Sequence, residues 1–201
     1  MIGIVDYGMG NLESVRKALA TSGFDSQWIR QPSDLEACDR IVLPGVGAFG
    51  RAMANLRRSG LIAPLRDAID KERPFLGICL GLQLLFDTSV EHGMHEGLGL
   101  VAGDVRQFPE TVRVPHVGWN TVGQPRESRL FAGIPDQTYF YFVQSYYVDP
   151  TDPSVVAGTT DHGVSFAAAI EQGNLFGVQF HPEKSQRAGL QLLSNFGRVL
   201  C

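Results

Sequence analysis

Short apolar runs alternate with helical patterns along the first half of the chain. Runs at residues 2–5, 40–43 and 74–78 have the length and composition of buried strands. Between the first two runs, apolar side chains repeat at helical spacing: Leu12, Val15, Ala18 and Leu19. Gly23 then provides a stop for this helix. Strands separated by helical patterns predict parallel βαβ units.

The pattern changes in the second half of the chain. Closely spaced strand signals occur at residues 139–147, 154–158, 164–170 and 175–180, and this spacing favours an antiparallel arrangement. A last helix is predicted from apolar residues on one face: Leu190, Leu193, Phe196 and Leu200. The sequence therefore predicts an α/β fold in a single domain over residues 1–201. Its mostly parallel central sheet is flanked by helices and carries an antiparallel extension.

Composition argues against several classes of function. The 201 residues are 44% hydrophobic, which is enough to bury one sizeable core. A formal charge of −4 without a basic run gives no footprint for nucleic acid. No apolar stretch approaches the roughly 20 residues that span a bilayer, and no signal peptide opens the chain, so no membrane association is expected. Three cysteines, an odd number without metal-ligand spacing, predict a reducing cytoplasm and no metal site.

One cysteine stands in the sequence pattern of a nucleophile. The third apolar run leads into Gly77-Ile78-Cys79-Leu80-Gly81 and then a helical apolar stretch. This is a nucleophile elbow with cysteine in place of serine, because glycines on both sides let strand and helix approach around a strained turn. The helix N-terminus favours a negative sulfur. A buried cysteine in an ordinary strand–helix junction is the alternative. Cys38 and Cys201 lack such surroundings and are interpreted as ordinary thiols.

A candidate base for this thiol follows the last strand signal. His181-Pro182-Glu183 comes directly after the strand pattern, so the imidazole and the carboxylate can project from one loop toward the same point. The histidine would take the thiol proton, and Glu183 would hold the ring's tautomer and stabilise the imidazolium. A surface loop with an incidental histidine and glutamate is the alternative. Combined with the elbow, the pattern favours a Cys79, His181, Glu183 catalytic triad.

These motifs carry a family resemblance. Gly-Ile-Cys-Leu-Gly with a late Gln-Phe-His-Pro-Glu resembles the class I (triad) glutamine amidotransferases. Three further segments resemble the glutaminase subunits of imidazole glycerol phosphate synthases, of histidine biosynthesis: residues 6–12, 44–49 and 114–120. The motifs run from residue 6 to residue 186 and so cover essentially the whole chain. The resemblance implies the family's flavodoxin-like α/β fold.

The resemblance also implies roles for residues outside the triad. The loop after the second strand signal would form the oxyanion hole through Val46 and Gly47, with the amide of Leu80 as the second donor. Gln83 would bind the amino-acid end of glutamine, and Glu91 its ammonium group. The interface candidates are Asn11, Trp119 and Lys184. At Gln144 the chain departs from the family, which commonly has histidine there, and this puts in doubt any role that needs an ionisable ring.

The expected function is hydrolysis of glutamine to glutamate and ammonia, without a metal or organic cofactor. The resemblance implies that ammonia passes to a barrel-type cyclase subunit in a heterodimer. Another triad amidotransferase or a γ-glutamyl hydrolase remains an alternative, although residues 6–12 and 115–120 argue against it. A non-catalytic regulatory module is a further alternative, which the intact triad disfavours.

Overall fold

The computed structural model describes residues 1–200, and Cys201 lies outside the described residues. The strands are β1 (Ile2–Val5), β2 (Ser26–Ile29), β3 (Arg40–Gly45), β4 (Phe75–Cys79), β5 (Phe86–Ser89), β6 (His95–Glu96), β7 (Val101–Gln107), β8 (His116–Val122), β9 (Thr138–Gln144), β10 (Tyr146–Pro150), β11 (Val156–Asp161), β12 (Ser165–Gln172) and β13 (Leu175–Val178). The α-helices are α1 (Leu12–Thr21), α2 (Phe49–Arg58), α3 (Ile62–Asp70), α4 (Leu80–Gln83) and α5 (Gln186–Gly197).

The central sheet has a parallel part and a mostly antiparallel part. Its strand order is β2-β1-β3-β4-β13-β12-β10-β7-β5-β6, and β11 pairs with β12. The first five strands in this order are parallel to one another. The pairings from β13 through β12 and β10 to β7 are antiparallel, whereas β5 is parallel to β7. Strands β8 and β9 form a separate antiparallel sheet. The predicted α/β class with an antiparallel extension is confirmed.

The sheet separates two hydrophobic clusters because successive strand side chains point to opposite faces. Ile41 and Leu43 on β3 pack with α2 and α3 in one cluster. Val42, between them, packs with α1 and α5 in the other. Helices therefore cover both faces of the parallel strands, which explains why those strands are apolar throughout.

Two details of the predicted elements are wrong. The single strand predicted over residues 139–147 is two strands in different sheets, because the chain turns at Ser145 between β9 and β10. Leu200 is not part of the last helix: α5 ends at Gly197, and Leu200 is exposed. Within residues 1–200, every helix is too short or too polar to cross a lipid bilayer.

Candidate active site

Cys79 occupies a strained turn between strand and helix, as the elbow pattern predicts. Strand β4 ends at Cys79, and α4 begins at Leu80. Cys79 has φ 54° and ψ −112°, and a positive φ is uncommon for a residue with a side chain. Such strain persists only where the surrounding structure enforces it, and it is concentrated at functional sites. The thiol is therefore held at the carboxyl end of β4 by the packing of the elbow.

The glycine two residues after Cys79 makes this packing possible. A Cβ atom at Gly81 would lie 1.8 Å from the main-chain oxygen of Leu43 on the neighbouring strand. A Cβ atom at Gly77 would lie 2.7 Å from the oxygen of Gly81. Both distances are far below van der Waals contact, so larger residues would push the short helix away from the sheet. The glycine spacing in the sequence thus has a direct steric cause.

His181 and Glu183 form a buried pair beside the thiol. Strand β13 is parallel to β4, so the chain leaving its carboxyl end reaches the sheet edge that holds Cys79. His181 Nδ1 and Glu183 Oε1 are 2.8 Å apart, and the two side chains are 3% and 2% exposed. This contact leaves Nε2 as the nitrogen available to the sulfur. Within residues 1–200, His181 Nε2 makes no hydrogen bond in this structure.

The surroundings of His181 favour its charged form. Burial alone favours the neutral ring, but the interactions with Cys79 and Glu183 outweigh it and raise the pKa of His181 to about 10. The sulfur of Cys79 and the carboxyl group of Glu183 therefore favour the imidazolium from two sides. This is the charge distribution that an activated cysteine–histidine pair requires.

A cleft of about 350 Å³ opens over the sulfur. The predicted oxyanion residues Val46, Gly47 and Leu80 line it together with Cys79 and His181. Gly47 has φ +94°, and the N–H of Leu80 lies in the first turn of α4, where it has no acceptor within the helix. The structure thus brings the predicted oxyanion loop and the elbow amide to one cleft.

The two predicted substrate residues lie in the same cleft but already have protein partners. The side-chain nitrogen of Gln83 donates to the oxygen of Tyr146 at 3.1 Å and to Oε1 of Gln179 at 3.0 Å. Oε2 of Glu91 accepts a hydrogen bond from the N–H of Phe49. The side-chain oxygen of Gln83 and the second oxygen of Glu91 are therefore the atoms left for a ligand.

Gln179 and Tyr7 also surround the nucleophile, and the sequence patterns assigned a role to neither of them. The side-chain nitrogen of Gln179, which is fully buried, donates to Cys79 Sγ at 3.7 Å. The Tyr7 hydroxyl donates to the oxygen of Pro44 at 3.0 Å, and burial, followed by the charge of Cys79, raises the pKa of Tyr7. Gln179 precedes His181 by two residues in the segment that follows β13, and this spacing in an extended segment was a signal that both side chains share a face.

The three interface candidates are all exposed, and two of them meet at one surface. Trp119 is 46% exposed, and its ring centroid lies 6.0 Å from that of Tyr141. Lys184 Nζ, from the triad loop, lies 5.8 Å from the centroid of the same Tyr141 ring. Val117 and Tyr139 extend the exposed apolar surface, at 56% and 60%. Asn11 lies in the loop that follows β1, at the same sheet edge as Cys79.

Beneath this surface, several buried polar atoms have no partner within residues 1–200. They include both side-chain polar atoms of Gln144 and Nδ1 of His116. The two residues face each other across β8 and β9, and Gln144 also lines the cleft. Burial, followed by the charge of His162, lowers the pKa of His116 to about 4. No group of three histidine, cysteine, aspartate or glutamate side chains among the described residues is arranged to hold a metal ion.

Comparison with known proteins identifies the class. The profile of the glutamine amidotransferase class I family matches residues 3–199. The structure superposes on PurLQS from Thermotoga maritima with a TM-score of 0.79, 19% identity and coverage of 97% of this chain and 96% of that chain. A solved structure described as a glutamine amidotransferase gives a TM-score of 0.76 at 18% identity, covering 98% of both chains. The chain belongs to the class I glutamine amidotransferase family.

Relatives with similar sequences show which group within the amidotransferase family this chain resembles. The imidazole glycerol phosphate synthase subunit HisH of Moorella thermoacetica is 54% identical over 99% of this chain and 95% of that protein. The subunit of the same name from Aquifex aeolicus is 50% identical over 97% of this chain and 95% of that protein. Within its family the chain therefore groups with the HisH subunits, as the sequence motifs indicated.

Proposed function

We propose that this protein is the glutaminase subunit of an imidazole glycerol phosphate synthase and hydrolyses glutamine to glutamate and ammonia as a single domain. The observation that carries the proposal is the strained Cys79 beside the buried pair of His181 and Glu183 in one open cleft. The relatives at about half identity supply the particular synthase. Structures of other amidotransferases, all below 20% identity, support only the fold.

The reaction proceeds through a thioester. The Cys79 thiolate attacks the side-chain carbonyl carbon of glutamine, and the carbonyl oxygen takes the negative charge. Protonated His181 then gives its proton to the departing nitrogen, so ammonia leaves and a glutamyl thioester remains. Neutral His181 next takes a proton from water, whose oxygen attacks the thioester and releases glutamate and the thiolate. Glu183 holds the ring's orientation and stabilises its charged form throughout.

The residues that line the cleft have distinct parts in this scheme. The amides of Val46 or Gly47 and of Leu80 stabilise the oxyanion, an interaction that is worth about 3–4 kcal/mol per donor in other enzymes. The side-chain oxygen of Gln83 and the free oxygen of Glu91 accept hydrogen bonds from the ammonium group of the substrate. Both side chains line the cleft, and these oxygens remain after the other polar atoms of the two side chains have been used within the protein.

The partner is proposed to be a barrel-type cyclase subunit, which receives the ammonia within a cytoplasmic heterodimer. Exposed Val117, Trp119 and Tyr139 and half-buried Tyr141 form a surface that we call the aromatic face, and this surface supports the proposal. Exposed aromatic clusters of this kind are typical of protein interfaces. Asn11 and Lys184 would add polar contacts at its rim. Both cysteines among the described residues are free thiols, which suits a reducing compartment.

Two assays test the function together. Glutamate formation is measured for the isolated chain and for its complex with the cyclase subunit, with and without the cyclase's nucleotide substrate. We expect the partner to stimulate glutamate formation by at least about 100-fold, or 2.7 kcal/mol. A partner that completes the oxyanion hole would give the active site about one additional hydrogen-bond donor. Cys79→Ala should abolish glutamine-dependent synthesis while added ammonia still supports the cyclase. Glutaminase activity retained in Cys79→Ala would contradict the mechanism.

A further inference from the structure

Two side-chain amides form an oriented pair behind the nucleophile. Gln83 donates its nitrogen to the main-chain oxygen of Tyr146 and to Oε1 of Gln179. Because a main-chain oxygen can only accept, this contact fixes which end of the Gln83 amide carries the protons. Gln179 must therefore present its oxygen to Gln83 and its N–H groups to Cys79 Sγ, 3.7 Å away.

The sulfur has a second polar neighbour that acts in the opposite direction. The main-chain oxygen of Val143 lies 3.9 Å from Cys79 Sγ, where it can accept only from the protonated thiol. The N–H of Gln179 stabilises the thiolate, since a hydrogen bond to the charged form favours that form. Gln179 is the closer of the two and is a donor without any freedom to turn round. Its amide therefore biases the site toward a negative sulfur.

Burial strengthens this bias. Gln179 is fully buried, and Gln83 is 6% exposed. A hydrogen bond to a charged group is worth more in such surroundings than in water. The titratable groups around the sulfur are His181 and Glu183 from the triad loop, Tyr7 from the loop after β1, and Glu91 and Tyr146 from the cleft lining. Among these side chains only His181 brings a positive charge, so the amide is a separate, neutral source of stabilisation.

We propose that Gln179 is a positioning residue that holds Cys79 as a thiolate, and that Gln83 acts through it by fixing the direction of its amide. The proposal rests on the function proposed for Cys79. It adds a second duty for Gln83 besides substrate binding, and it explains why a polar side chain is fully buried under the active site.

The test measures the reactivity of the sulfur without substrate. Full-length protein is treated with iodoacetamide across a pH series, and alkylation of the Cys79 peptide is followed by mass spectrometry. Iodoacetamide reacts with the thiolate. The midpoint of the pH profile therefore reports the equilibrium between the thiol and the thiolate of Cys79. This reagent does not depend on the substrate contacts of Gln83. Gln191→Leu, which removes an exposed glutamine on α5, is the matched control.

We expect Gln179→Leu to slow alkylation at neutral pH by about tenfold and to move the midpoint to higher pH, as expected for loss of one hydrogen bond to a charged group. Gln179→Glu keeps the acceptor for Gln83 but places a carboxylate against the sulfur, so its shift should be larger. Gln83→Leu should give a smaller shift in the same direction, and adding it to Gln179→Leu should change little more.

The outcomes separate this inference from the function on which it rests. An unchanged midpoint in folded Gln179→Leu, checked by thermal unfolding, would overturn the role of Gln179. If Gln179→Leu does not fold, an unchanged midpoint in the isosteric variant Gln179→Glu would overturn the role of Gln179. If neither variant folds, an unchanged midpoint in Gln83→Leu would overturn it. A wild-type Cys79 that reacts no faster than buried Cys38 would instead contradict the proposed nucleophile.

Discussion

The parallel strands around Cys79 and the two-stranded sheet of β8 and β9 differ in how closely they are packed and in how much apolar surface they expose. Around the elbow, backbone contacts are so close that a single Cβ atom at Gly81 would overlap Leu43. The two-stranded sheet instead exposes Trp119 and Tyr139 and covers polar atoms of Gln144 and His116 that have no partner among the described residues. The backbone packing of the first region is set by contacts within the chain. The second has the features of a surface whose contacts are finished by another molecule.

The two regions are joined at the triad. The N–H of His181 donates to the main-chain oxygen of Tyr141 at 2.9 Å, and the hydroxyl of Ser185 accepts from the N–H of Tyr141 at 3.0 Å. Tyr141 belongs to the aromatic face. A partner bound to that face would therefore act on β9, the strand to which the main chain of His181 is hydrogen-bonded. The elbow region holds the candidate nucleophile Cys79, and the aromatic face is hydrogen-bonded to the loop of its candidate base, His181.

The largest expected effect concerns the steric limit at the elbow. Gly81→Ala should cost more than about 4 kcal/mol in the free energy of unfolding or prevent folding, because the added Cβ overlaps backbone that cannot yield. Gly60→Ala is the control: Gly60 has a positive φ, but nothing lies within 4 Å of the position that an added methyl group would take. It should cost only about 1–2 kcal/mol. Urea unfolding measures both, and equal costs would contradict the steric account.

The next effect tests the buried ion pair. Glu183→Gln preserves the shape of the side chain but removes the charge that orients and stabilises protonated His181. Glutaminase kcat in the activated complex should fall on the order of 10⁴-fold, by analogy with the orienting carboxylate of serine proteases. Exposed Glu36→Gln is the matched control. A decrease below about tenfold would show that the carboxylate is dispensable.

A mutation of the aromatic face should affect binding and leave the fold intact. Trp119→Ala should weaken binding to the cyclase subunit by about 30-fold, or 2 kcal/mol, since central aromatic side chains are frequent hot spots. Trp28→Ala is the matched control, because Trp28 lies on β2 at the far edge of the sheet. Titration calorimetry measures both variants. Equal affinities would place the interface elsewhere.

The protonation of His181 should depend on its neighbours. Its pKa, raised to about 10, lies above the unperturbed value of 6.5. Its charge therefore stabilises the fold fully below about pH 6.5, and this contribution is lost as the pH rises through 10. In Cys79→Ala the sulfur's contribution is gone, so the histidine midpoint measured by NMR should fall by at least about one unit. An unchanged midpoint would show that Glu183 and the fold alone hold the proton.

The smallest expected effect concerns Gln144. A neutral imidazole and an amide both donate and accept one hydrogen bond, so Gln144→His should change glutamine-dependent turnover by less than about tenfold, or 1.4 kcal/mol. The measurement is a pH–rate profile of the complex. A much larger gain, with a new ionisation near pH 6.5, would show that a histidine at this position performs acid–base work.

The sharp strand–helix turn at Cys79 and the position of His181 after a strand could be predicted from local patterns, for physical reasons. The glycines flanking Cys79 are dictated by contacts between adjacent elements, and His181 follows a strand whose neighbour is β4. The break at Ser145 was not predictable from periodicity, because the end of β9 and the start of β10 are both rich in aromatic residues, although the two strands join different sheets. Leu200 matched the helical spacing, although the helix ends before it. Gln179 was missed because its role depends on the orientation of Gln83, which is distant in sequence.

The proposed mechanism requires Cys79 to form a glutamyl thioester during glutamine hydrolysis. The most direct measurement is mass spectrometry of peptides from the cyclase complex after a rapid acid quench during turnover. We expect a glutamyl group on the Cys79 peptide of the wild-type protein when glutamine is supplied, and none when ammonia alone is supplied. Ammonia release from glutamine without any adduct on Cys79, or an adduct carried by Cys38 instead, would contradict it.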